Sequence, residues 1–113
     1  MRHSVISPDG TTIAFTYKGD IYTVPVTGGR AMQITTNPAY DTDPVWSPDS
    51  KRIAFASDRM GSLDVYIVAK DGGEPRRLTT HSGSETPLAF TDAGHVLFSA
   101  GIMPSAEAVV VSL

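Results

Sequence analysis

The feature that most constrains this chain is a repeat. Ser7-Pro8-Asp9 returns as Ser47-Pro48-Asp49, and Ile13-Ala14-Phe15 returns as Ile53-Ala54-Phe55, both 40 residues later. Asp20-Ile21-Tyr22-Thr23-Val24 returns as Asp64-Val65-Tyr66-Ile67-Val68 at a spacing of 44. The pairs Gly28-Gly29 and Gly72-Gly73, and the runs Ile34-Thr35-Thr36 and Leu78-Thr79-Thr80, keep that second spacing. The four-residue difference falls within Ser57 to Leu63, where an insertion is expected to lengthen a hairpin loop. A weaker third copy starts at Thr86-Pro87-Leu88-Ala89-Phe90, with Phe90 in the place of Trp46 and Asp92-Ala93-Gly94 in the place of the turn. Its return strand is Val96-Leu97-Phe98, and Glu107 to Val111 fills the slot of Asp64 to Val68. No glycine turn or fourth strand follows, and Ile102 to Ala106 reads as an irregular connector.

Each copy reads as strands. Val45-Trp46-Ser47 has the β-branched and aromatic bias of a buried strand, and Ile53-Ala54-Phe55 is its return. Between them Pro48 presets φ for a tight turn, and the Asp49 side chain can hold nearby backbone N–H groups. Four short strands in every 40 to 45 residues is the pattern of a β-propeller with one blade per repeat. Helical repeats of similar period are excluded by the strand bias and by the spread of glycine and proline. Chance likeness among the hairpins of one β-sandwich would not keep so many positions in order. The fold class is therefore all-β: an incomplete propeller of about two and three-quarter four-stranded antiparallel blades. Blade 1 is expected at about residues 4–41, blade 2 at about 42–85 and a truncated blade 3 at about 86–113. Phe15, Trp46, Phe55, Phe90 and Phe98 are expected to fill the space between blades.

Composition narrows the function classes. At 113 residues the chain has the length of one small domain. A net charge of -3 offers no basic footprint, so no nucleic-acid partner is expected. No apolar run approaches the roughly 18 residues of a spanning helix, so no membrane insertion is expected. Met1-Arg2-His3-Ser4-Val5 does not open onto a signal-peptide core. With no cysteine, disulfides and thiolate metal sites are ruled out.

Trp46-Ser47-Pro48-Asp49, Ile53-Ala54-Phe55, Ser57-Asp58-Arg59, Asp64-Val65-Tyr66 and Gly72-Gly73-Glu74-Pro75-Arg76-Arg77-Leu78-Thr79 together resemble the blades of TolB-type and tricorn-type propellers. The resemblance runs along nearly the whole chain, although the first copy has Val5-Ile6-Ser7 where the second has its tryptophan. Among the proteins that carry such blades, the third copy, Glu85 to Phe90 with His95 to Ala100, is most similar to the N-terminal propeller of bacterial tricorn-like serine peptidases. That resemblance implies a non-catalytic segment, with the catalytic serine in a separate C-terminal domain and the propeller guiding or gating peptide substrates. A TolB-type scaffold binding protein partners at the cell envelope, and the propeller of a prolyl-oligopeptidase-like hydrolase, remain open beside it. A periplasmic or envelope location follows from the resemblance alone.

The residues add no catalytic constellation. No serine sits in a Gly-x-Ser-x-Gly elbow, and His3, His81 and His95 match no metal spacing. Asp41, Asp43 and Asp49 invite a calcium reading, but they lack the loop glycine and bidentate glutamate of an EF-hand. No catalytic residue, cofactor or metal site is therefore expected. Asp58-Arg59 reads as a loop-stabilising ion pair. Meander topology places the loops that join blades on the same face as the loops between second and third strands. Tyr40, Asp41, Asp43, His81 and Glu85 could then rim a channel and meet a peptide or protein ligand, against the plainer reading of solvated connectors. An open arc also exposes blade faces and strand edges, so self-association is expected, with two chains completing a six-bladed ring head to tail.

Overall fold

One turn, used twice, sets the first half of each repeat. The computed structural model describes the backbone of residues 2–79, 84–102 and 105–112, and the side chains of residues 4–79 and 84–99. In the first repeat the Ser7 hydroxyl donates to Asp9 Oδ1 (2.6 Å) while accepting from the Thr12 amide (3.1 Å). The second repeat does the same with Ser47, Asp49 and Arg52, at 2.6 and 2.9 Å. The aspartate in turn accepts the amide of Thr11 or Lys51. These side chains satisfy the amides that a tight turn leaves without ladder partners. The last turn residue sits at positive φ, as Gly10 (76°) and as Ser50 (61°). Serine is tolerated at this strained position because its hydroxyl accepts the Asp9 amide (3.0 Å) and so ties the second turn to the first.

The strands joined by these turns form three antiparallel sheets. Blade 1 holds β1 (Arg2–Ile6), β2 (Thr12–Tyr17), β3 (Asp20–Pro25) and β4 (Met32–Gln33). Blade 2 holds β5 (Asp41–Trp46), β6 (Arg52–Met60), β7 (Ser62–Ala69) and β8 (Arg76–Arg77). Blade 3 holds β9 (Ser84–Asp92), β10 (His95–Ile102) and β11 (Ser105–Ser112). In each sheet spatial order follows chain order, which is the meander of a propeller blade, and no helix occurs among the described residues. The two fourth strands are only two residues long, shorter than the sequence suggests.

Two expectations about connections are corrected. Ser57 to Leu63 is not a lengthened loop: β6 and β7 run on to a one-residue turn at Gly61, with a bulge between Ser57 and Met60 absorbing the extra residues. Gly61 closes the turn at φ 110°, a conformation open to glycine. Nor is Ile102 to Ala106 irregular throughout, because the β10–β11 ladder continues to Ile102 opposite Ser105.

Burial follows from what each blade has beside it. One core layer joins Ala14, Ile21 and Ile34 of blade 1 to Trp46, Ile53, Phe55, Tyr66 and Val68 of blade 2. A second joins Ala54 and Val65 of blade 2 to Val96 and Phe98 of blade 3, with Phe90 packed against it. Blade 2 is covered on both faces, so residues 53–57 and 64–68 are buried without interruption. Blade 1 is covered on one, and burial alternates along β2 and β3. Phe15 is therefore half-buried, where the aromatic pattern alone suggests core.

Candidate functional site

The loop that carries the chain from β4 into β5 passes over two hairpin turns, and this meeting sets Tyr40 and Asp41 against Gly19 and Asp58. The Asp41 amide donates to Gly19 O in the β2–β3 turn (2.8 Å). The Tyr40 amide donates to Asp58 Oδ1 (2.8 Å), and the Asp58 amide returns to Tyr40 O (3.2 Å). Asp58 thus clamps the inter-blade loop and does not pair with Arg59, which corrects the expected ion pair. Arg59 turns the other way: Nε donates to Ser57 Oγ (2.9 Å), a terminal nitrogen lies 3.4 Å from Asp41, and the guanidinium sits 4.6 Å above the Tyr66 ring. That stacking is a cation–π contact, and it spreads the arginine over the aromatic wall of blade 2.

The five predicted residues separate by exposure. Tyr40 is 50% exposed and Asp43 is partly exposed at φ 55° in the bulge of β5. Asp41 and Glu85 are 0% exposed, so neither presents a carboxylate to a ligand. They hold equivalent places in successive junctions. Glu85 Oε1 accepts from Thr79 Oγ1 (2.8 Å), which itself accepts the Val65 amide (2.9 Å), while Arg77 binds Asp64 (2.7 Å) and the Thr79 carbonyl (2.9 Å). In the preceding junction Thr35 accepts the Ile21 amide (2.9 Å) and Gln33 takes the place of Arg77 against Asp20 (3.2 Å). Burial, and then the charge of Asp41, push the Asp20 carboxyl above its ordinary value. His81 lies outside the described residues, as does the His3 side chain. His95 caps the blade 3 turn through Asp92 (2.9 Å). Among the described residues no group of acidic or histidine side chains is arranged to hold a metal. Asp49, one of the residues weighed for calcium, is engaged by its turn.

A surface that residue-type reasoning passed over lies at the opposite end. The innermost strands β1, β5 and β9 run side by side, and Val5, Ile6, Val45, Trp46, Leu88 and Phe90 line an apolar groove of about 340 Å³. Ile6 is 62% and Leu88 50% exposed, while the Trp46 indole is held beneath by its bond to Val5 O (3.1 Å). The signal was present in the sequence as apolar residues at equivalent inner-strand positions, but those positions also fit core packing. Chemically, a groove of this kind suits apolar side chains of an extended ligand and offers no group for proton transfer.

Comparison with known proteins agrees with this architecture. The family described as the tricorn protease N-terminal β-propeller domain matches residues 1–109. Tricorn protease homolog 1 of Streptomyces coelicolor is 36% identical over 91 residues, covering 80% of this chain and 8% of that protein. The uncharacterized peptidase YuxL of Bacillus subtilis is 32% identical over 108 residues, 85% of this chain and 16% of that one. The chain therefore spans less than a fifth of the length of these curated relatives. Among solved structures, a putative TolB from Agrobacterium tumefaciens superposes with a TM-score of 0.83 at 30% identity, over 97% of this chain and 42% of that chain. The tricorn protease itself shares the fold at a TM-score of 0.67 and 15% identity, over 96% of this chain and 12% of its own.

Proposed function

The chain belongs to the family of tricorn protease N-terminal β-propeller domains, and on that premise we propose that it is a non-catalytic propeller segment that receives peptide ligands for a tricorn-like peptidase. The observation that carries this reading is the apolar groove along the three innermost strands, open at Ile6 and Leu88. Peptides enter as extended chains, and an apolar groove laid across three neighbouring strands can take their apolar side chains. The chain contributes binding and orientation; the bond-breaking groups belong to another domain.

Trp46 is the only tryptophan of the chain and lies in that groove, so its fluorescence reports occupancy directly. Extended peptides with apolar side chains are expected to shift its emission in a saturable way. Leu88→Glu or Ile6→Glu, both at exposed positions, should weaken that response at least tenfold. Emission that ignores such peptides, or a response that both variants leave unchanged, would count against the reading.

A second reading, a TolB-type scaffold that binds protein partners, is supported by the likeness to the Agrobacterium protein and by 44% identity over 55 residues to the Tol-Pal system protein TolB of Bordetella pertussis. It brings with it a periplasmic or envelope location. Fractionation of cells expressing the natural full-length gene tests that location, and recovery in the cytoplasm would remove this second reading.

A further inference from the structure

A cleft between blades 1 and 2 has both its walls inside this chain. Blade 1 lines it with Thr23, Pro25, Arg30 and Met32, blade 2 with Lys70 and Asp71, and its volume is about 210 Å³. It shares no residue with the apolar groove. Thr23 follows Ile21 at the two-residue period of β3 and lies opposite Ala14, so it faces blade 2 as they do. Only 6% of Thr23 is exposed, and its hydroxyl has no hydrogen-bond partner among the described residues. Nor do Arg30 and Lys70 make an ion pair among those residues. Two cations and a free hydroxyl therefore meet one carboxylate, Asp71, beside the hydrocarbon of Pro25 and Met32.

The repeat shows what blade packing alone asks of these positions. Between blades 2 and 3 the corresponding cleft, about 260 Å³, has Ile67, Glu74 and Arg76 in the places of Thr23, Arg30 and Met32. Ile67 lies opposite Ala54 as Thr23 lies opposite Ala14, and it is equally buried. Hydrocarbon thus serves the packing at this place. A hydroxyl buried there without a partner costs stability unless a ligand engages it.

We infer that the cleft between blades 1 and 2 binds a small carboxylate that carries an apolar group. The carboxylate lies between Arg30 and Lys70 and accepts from the Thr23 hydroxyl, in charge-assisted hydrogen bonds. Its apolar group rests on Pro25 and Met32. Asp71 opposes the bound charge and so limits affinity. The second cleft, with Glu74 and Ile67 in place of Arg30 and Thr23, does not take such a ligand. The inference does not depend on the peptide-binding reading, because the two sites are separate.

Titration of benzoate into the 113-residue chain, followed by amide proton–nitrogen NMR spectra, tests it. Saturable shifts are expected at the Thr23, Val24 and Lys70 amides, with a Kd of about 1 mM or tighter. Thr23→Ile and Arg30→Glu each bring in the residue of the second cleft, so the fold is expected to tolerate them, and each should weaken binding about tenfold. Thr23→Ser keeps the hydroxyl and should keep the affinity, and Asp71→Asn should tighten it. Lys70→Ala, at a turn position, supplies the same readout should Thr23→Ile unfold. Benzamide has the shape without the charge and should leave these amides in place; inorganic phosphate, which lacks the apolar part, should bind more weakly than benzoate. Amides that stay in place up to about 10 mM benzoate, beyond the weakest affinity expected, would overturn the inference. So would equal shifts with benzamide, phosphate binding as tight as benzoate, or affinity that Thr23→Ile, Arg30→Glu and Lys70→Ala leave unchanged.

Discussion

Thr79 joins two blades with one hydroxyl. It accepts the Val65 amide and donates to Glu85, so a single buried side chain satisfies a backbone donor and a carboxylate together. Thr79→Val keeps the shape and takes the acceptor from the buried Val65 amide, which is expected to cost about 1–3 kcal/mol. Urea unfolding should show a lower midpoint at unchanged slope, and an unchanged midpoint would mean the hydroxyl is dispensable. The acidic residues divide by environment. Asp49 is held below the ordinary carboxylate range first by the Ser47 hydroxyl and then by the Lys51 amide. A depressed folded value means that its contribution to stability is present above about pH 4 and is lost as pH falls through the folded value. Asp20 has the opposite sign. Burial and Asp41 raise it, so the folded state binds its proton more readily and stability falls as pH rises through the window between its unfolded and folded values. Asp20→Asn should therefore raise the thermal midpoint at neutral pH and leave it unchanged near pH 2, where the aspartate is protonated in both states. A difference that is the same at both pH values would refute this assignment.

At the scale of the element, the β6–β7 hairpin shows how an insertion was absorbed. Extending β6 past Ser57 puts Arg59 in its bulge, where it lies over Tyr66 and reaches Asp41. Removing the guanidinium in Arg59→Ala leaves the Asp41 carboxylate buried without its cation. The expected cost is about 2–3 kcal/mol, less than a tightly made buried pair, because the contact is 3.4 Å long and the arginine side chain is 13% exposed. Arg59→Lys should recover only part of this, since an ammonium has neither the planar stack nor the fork. Full recovery by lysine, read from the same denaturant curves, would mean that charge alone matters.

For the whole molecule, the decisive quantity is how many faces of a blade are covered. Blade 2 is enclosed on both sides and blade 1 on one, so amide exchange should be slowest in β6 and β7 and faster in β2 and β3. Exchange followed by mass spectrometry checks this, and equal protection in dilute solution would contradict it.

The repeat, read without coordinates, determined the meander and the turn chemistry of Ser7-Pro8-Asp9 and Ser47-Pro48-Asp49. Those are local matters of period, turn residue and register, and local sequence carries them. Sequence also marked Tyr40, Asp41, Asp43 and Glu85 as neighbours of the inter-blade loops. It did not decide that Asp41 and Glu85 are closed to solvent while Tyr40 is open, because exposure depends on what another blade lays across a residue. For the same reason Phe15 and Phe55, identical in type and register, differ in burial. The partner of Arg59 and the apolar groove were likewise decided only by tertiary structure, which sets where a long side chain ends and which strands from separate repeats lie side by side.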